Sequence, residues 1–128
     1  MRAVDTNVLV RLLIGDDPPQ VIAAERFVKA GAWVSHVTLA EESWVLESNY
    51  GRNRPQIGAA FELLLDQETL TLQDREVVQA ALETFRSGSG VSFSDCLTLE
   101  IARKAGHTPL GTFDRKLARL DGAERIGR

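Results

Sequence analysis

Cysteine is almost absent: Cys96 is the only one in 128 residues. It cannot form an internal disulfide, and nothing in the chain points to export into an oxidising compartment. His36 and His107 are the only histidines, so a zinc site built of cysteine and histidine has almost no ligands to draw on. Long apolar runs are missing too. Val8 to Ile14 is interrupted by Arg11, well short of the ~20 apolar residues that a membrane span needs. The start lacks the basic, apolar and small-residue succession of a secretory signal. The expected location is the cytoplasm, with no membrane partner. Repeats, low-complexity tracts and linkers are also lacking, so a single domain over residues 1–128 with one core is expected.

What is present is a soluble globular composition, 44% hydrophobic and 26% charged. The net charge of −3 is unevenly spread: residues 1–102 hold 8 Lys/Arg against 15 Asp/Glu, and residues 103–128 hold 7 against 3. An acidic body suits cations, and a basic tail suits an anionic polymer, although a solvated basic surface helix explains the tail equally well.

Short extended runs alternate with helical ones. Met1–Val4, Trp33–His36, Leu70–Leu72, Pro109–Phe113 and Ala123–Ile126 read as strands. Helices are expected over Val8–Leu13, from the Asp16-Asp17-Pro18-Pro19 start to about Lys29, and over the Leu39, Ser43, Leu46, Tyr50 stripe that Gly51 ends. Further helices follow from Pro55, with Ile57, Ala60, Phe61 and Leu64 on one face, and after Asp74 as cap, with Val78, Ala81, Leu82 and Phe85. Ser94 is the expected cap of a helix from Asp95 to about Ala105 that Gly106 closes, and Arg115–Leu120 forms a short last helix. Alternating strands and helices predict an α/β/α sandwich on a central parallel sheet of four or five strands, with right-handed crossovers.

In an open parallel sheet, ligands bind beyond the carboxyl ends of the strands. Asp5 follows the first strand, Glu41 lies in the helix after the second, Asp114 follows Phe113, and Asp95 opens the helix after the Ser89–Phe93 connection. Singly, each has a plain structural role: Asp5 and Asp114 as caps, Asp95 as a first-turn acid, and Glu41 as a surface residue like its neighbour Glu42. Together they fall on one sheet edge. Ionised carboxylates packed together repel, so such a cluster calls for a cation. Oxygen ligands select Mg²⁺ or Mn²⁺, which suit phosphoryl chemistry through an activated water.

These residues stand in segments that resemble PIN-domain ribonucleases, and among them VapC-type toxins of bacterial toxin–antitoxin pairs. The carriers are Val4-Asp5-Thr6-Asn7-Val8-Leu9, Leu39-Ala40-Glu41-Glu42-Ser43-Trp44-Val45-Leu46, Phe93-Ser94-Asp95 and Thr112-Phe113-Asp114, in that order over essentially the whole chain. The resemblance implies that Asp5, Glu41, Asp95 and Asp114 are the catalytic, metal-binding carboxylates. Glu41 is preferred to Glu42 because the family's acid usually sits three residues before the tryptophan. It implies that Thr6, Asn7 and Thr112 orient Asp5 and Asp114, and that Ser94 does so for Asp95. RNA substrate, a compact homodimer and a cognate antitoxin are implied partners, with Val8–Ile14 and Trp44–Tyr50 offering some apolar surface and otherwise core. Arg115 and Lys116 are expected at phosphates.

The sequence departs from the pattern at Lys116, where some relatives carry another acid, and in the short chain before Asp5. Two alternatives on the same fold stay open: an RNA-processing nuclease without an antitoxin, and a non-catalytic RNA- or protein-binding module. A metal-free His36/His107 acid–base pair has no motif around either histidine. An aspartyl-phosphate phosphatase would keep a second Asp where Asn7 stands.

Overall fold

The computed structural model describes residues 1–127. Among these, seven helices and five short strands alternate along the chain, and every strand pairing is parallel. The chain forms two compact units, Met1–Arg75 and a second that opens at Glu76.

In the first unit, β1 (Arg2–Ala3) pairs with β2 (Ala32–Val34), and β2 pairs with β3 (Leu70–Leu72). The register sets Ala3 opposite Trp33 and Val34 opposite Leu72. Parallel neighbours need crossovers. Here α1 (Thr6–Ile14) and α2 (Pro18–Val28) join β1 to β2, and α3 (His36–Ser48) and α4 (Arg54–Asp66) join β2 to β3. Leu9, Val28, Val34, Leu39, Leu46 and Phe61 are among the buried side chains of this unit.

The short lead into Asp5 is anchored after all. The Arg2 guanidinium lies 3.8 Å over the Phe27 ring and donates to the Phe27 carbonyl at 3.0 Å. The Val4 N–H continues the ladder, donating to the Trp33 carbonyl at 3.1 Å.

Caps decide the boundaries. Asp17 caps α2 ahead of the Pro18-Pro19 pair, as its sequence suggests. Asn53 and Gln56 form a reciprocal capping box on α4. The strand expected over Trp33–His36 is shorter. The Ser35 hydroxyl accepts from the Thr38 N–H at 3.1 Å, so β2 stops at Val34 and His36 is already helical. Likewise α1 starts at Thr6, two residues before the expected Val8, because Asp5 caps it.

The second unit holds α5 from Glu76 onward (Arg75–Arg86), α6 (Phe93–Ala105), β4 (Leu110–Thr112), α7 (Arg115–Ala118) and β5 (Ala123–Arg125). Val78, Phe85, Phe93, Cys96 and Leu99 are buried, and the Phe85 and Phe93 rings meet edge to face with centroids 6.0 Å apart. Here β4 pairs with β5. The five strands are thus hydrogen-bonded as a ladder of three and a ladder of two, where one sheet of four or five was expected. The parallel α/β class holds and is compatible with the expected α/β/α fold.

The cap expected at Ser94 is Ser92, whose hydroxyl accepts from the Asp95 N–H at 3.2 Å. Starting α6 two residues early lets Phe93 and Cys96 reach the core together. Gly106, in the left-handed region at φ 83°, ends that helix where the sequence marks its end. No helix among the described residues is long and apolar enough to cross a membrane.

Candidate functional site

In the first unit, Asp5 ends the β1 segment and caps α1. Its Oδ1 accepts from the Val8 N–H at 3.2 Å, and Oδ2 has no hydrogen-bond partner among the described residues. Asp5 is exposed, whereas the next residue, Thr6, is buried. The Thr6 hydroxyl donates to Glu41 Oε2 at 3.2 Å. Thr6 therefore engages Glu41 rather than Asp5, the residue it was expected to orient. The two acids are linked all the same, since one backbone turn fixes Asp5 and aims Thr6 at Glu41. Asn7 is exposed.

Glu41 lies in the second turn of α3 and is exposed, but Glu42 is not the ordinary surface residue expected beside it. Glu42 is 0% exposed, and neither carboxylate oxygen finds a hydrogen-bond partner among the described residues. Burial without a compensating charge pushes its carboxyl up to about 8. The signal was present in the sequence. Leu39, Ser43 and Leu46 mark the buried stripe of this helix, and residue 42 lies on that stripe one turn after Leu39.

In the second unit, Asp95 is the third residue of α6, in the first turn, where the helix dipole favours a negative charge. Asp114 caps α7: its Oδ1 accepts from the Leu117 N–H at 2.8 Å, and its own N–H donates to the Thr112 hydroxyl at 3.0 Å. Thr112 thus fixes the Asp114 backbone rather than its carboxylate. Ser94 meets Ser92, hydroxyl to hydroxyl, at 3.2 Å. Asp95 and Asp114, 19 positions apart in the chain, line one cavity of about 420 Å³ with Gly90, Val91, Ser92, Arg115 and Lys116.

Each histidine has its own surroundings. The buried His36 ring nitrogen Nε2 lies 2.7 Å from the Gln73 carbonyl, and the His36 N–H donates to the Gln73 side chain at 3.0 Å. His36 is thereby a structural residue of the first unit, and His107 is exposed in the second.

The donor set can be tested against a divalent cation. Every candidate ligand is a carboxylate oxygen, which suits a hard ion such as Mg²⁺ or Mn²⁺. Among the described residues, no group of three or more His, Cys, Asp or Glu comes together to hold one. A closed cage is not what Mg²⁺ requires, however. It is commonly taken by one or two carboxylates, several waters and substrate phosphates, and the Asp95–Asp114 cavity is lined by two acidic residues.

Comparison with protein families returns one finding: the model described as PIN domain matches residues 2–123. No curated protein and no solved structure matches the chain.

Proposed function

The chain belongs to the PIN-domain family, generally nucleases, and from that premise we propose that it is a metal-dependent endoribonuclease and the toxin of a VapC-type toxin–antitoxin pair. One observation carries the reading: two acids distant in sequence, Asp95 and Asp114, line one cavity with Arg115 and Lys116, so carboxylates for a cation and cations for a phosphate occur together. Asp5 and Glu41 of the first unit, the latter bonded to the Thr6 hydroxyl, are the other two acids of the proposed set.

Asp5, Asp95 and Asp114 would hold Mg²⁺ or Mn²⁺, with Glu41 either beside them as a ligand or acting on water. When bound, the ion lowers the pKa of water and offsets charge on the phosphoryl oxygens. Glu41, which accepts from the Thr6 hydroxyl, would take the proton of the attacking water. The water oxygen then bonds to phosphorus as the bond to the leaving oxygen breaks. Asp5 and Asp114 each commit one oxygen to a helix cap, and the other would be offered to the cation.

The toxin role rests on the family resemblance, which also brings a homodimer, a cognate antitoxin and a cytoplasmic RNA target. Apolar surface in the first unit supports protein partners. Trp44 is 59% exposed, and Leu12, Leu13, Val28 and Leu63 help to line a groove of about 560 Å³. Cleavage of RNA by the purified protein, with Mg²⁺ or Mn²⁺ and with or without EDTA, tests the activity. Cutting should require the ion and be lost in Asp5→Asn and Asp95→Asn; variants that cut like the parent refute the site. An adjoining reading frame encoding a small DNA-binding protein that silences cleavage would bear out the toxin role. Cleavage with no such neighbour would favour a free-standing RNA-processing nuclease.

A further inference from the structure

Lys116 occupies the place where some relatives of the resembled family carry an acid, and its side chain runs close to the backbone of Gly90. Gly90, in the loop before α6, has φ +75°. A Cβ built there would lie 3.4 Å from Lys116 Cδ and 3.5 Å from Nζ. The lysine side chain therefore lies close to a loop residue that has no side chain of its own. Lys116 lines the same cavity as Asp95 and Asp114. No ion pair joins Lys116 to any acid among the described residues. Two acidic residues and a lysine thus line the same space, and no ion pair among the described residues joins them.

A cation held beside carboxylates, rather than paired with them, is placed for an anion that enters together with a divalent ion. The RNA phosphodiester is such an anion. We propose that Lys116 binds a non-bridging oxygen of the scissile phosphate, a role that rests on the ribonuclease reading above. The charge that accumulates on the phosphoryl oxygens during displacement would then meet a preplaced ammonium, and stabilisation developed in the transition state appears in kcat. Contact with a flanking phosphate would appear only in KM. Being an ammonium rather than a guanidinium, Lys116 acts as a point charge and carries no base preference.

The test uses the full chain in two settings. With Mn²⁺ present, Lys116→Gln should lower kcat by about 10- to 100-fold with a smaller change in KM, and Lys116→Arg should restore part of the loss. In EDTA, with an Asp5→Asn background to prevent cutting, binding of a short RNA is measured across salt concentrations. Lys116→Gln should reduce the slope of log K against log salt by about one phosphate contact. An unchanged slope, or a loss confined to KM, overturns the assignment while leaving the ribonuclease reading intact. Failure of the parent to cut RNA, or unimpaired cutting by Asp5→Asn, would instead sink the reading on which it rests. Circular dichroism melting of each variant shows whether an observed loss reflects unfolding.

Discussion

Replacing Glu42 should make this protein more stable, and the gain should depend on pH. Its side chain is fully buried, both oxygens are unpartnered among the described residues, and its carboxyl is raised from 4.5 to about 8. Between those two values the folded chain holds a proton that the unfolded chain has released. Stability therefore falls as pH rises through that window and levels off above about 8. At about 1.4 kcal/mol per pH unit, the cost is about 3 kcal/mol at pH 7. Glu42→Gln removes the titration while keeping the polar shape. Glu42→Leu also removes an unsatisfied buried acceptor, itself costing about 1–3 kcal/mol. Urea unfolding in EDTA at pH 5, 6, 7 and 8 gives the comparison. The stability gap between Glu42→Leu and the parent should widen steadily with pH, reaching about 3 kcal/mol or more near neutrality. A gap that stays constant with pH, or a leucine variant less stable than the parent at pH 8, would refute the reasoning.

Other consequences can be checked separately. Asp114→Asn keeps the α7 cap and should leave the melting temperature nearly unchanged while abolishing cleavage, whereas Asp114→Ala should lose cleavage and also about 1 kcal/mol of stability. Thr6→Val removes the hydroxyl that holds Glu41; cleavage should fall and Thr6→Ser should recover it, as single-turnover rates would show. Arg2→Ala should loosen β1 by about 1 kcal/mol through loss of the Phe27 contacts, read from urea midpoints.

The order of elements was legible because capping and periodicity are local. Asp17 before two prolines, the helical stripe from Ile57 to Leu64, and Gly106 after Ala105 each carry their own signal. Where two local solutions compete, tertiary burial decides. Ser92 and Ser94 are equally good caps in isolation, and the demand to bury Phe93 with Cys96 selects the earlier one. Asp5 and Asp114 show the limit for the site. Each is a helix cap, as the plain reading of its neighbourhood says, and capping does not preclude a further role because it uses one oxygen only. Glu42 was misjudged by treating its charge as evidence of exposure, when helical geometry had already set it on the inward stripe.

The cavity holding Asp95 and Asp114 has walls of unequal firmness. Asp95 stands on α6, which buries Phe93, Cys96, Leu97 and Leu99; Asp114 stands between β4 and α7, where Leu117 is the one buried side chain of β4, α7 and β5. Amide hydrogens of Leu110 to Arg125 should accordingly exchange with solvent through small local openings, while those of α6 wait for a larger unfolding event. Mn²⁺, were it held by Asp95 and Asp114, would slow exchange in the first segment far more than in the second. That uneven protection is a fingerprint of occupancy, legible by mass spectrometry before any RNA is added.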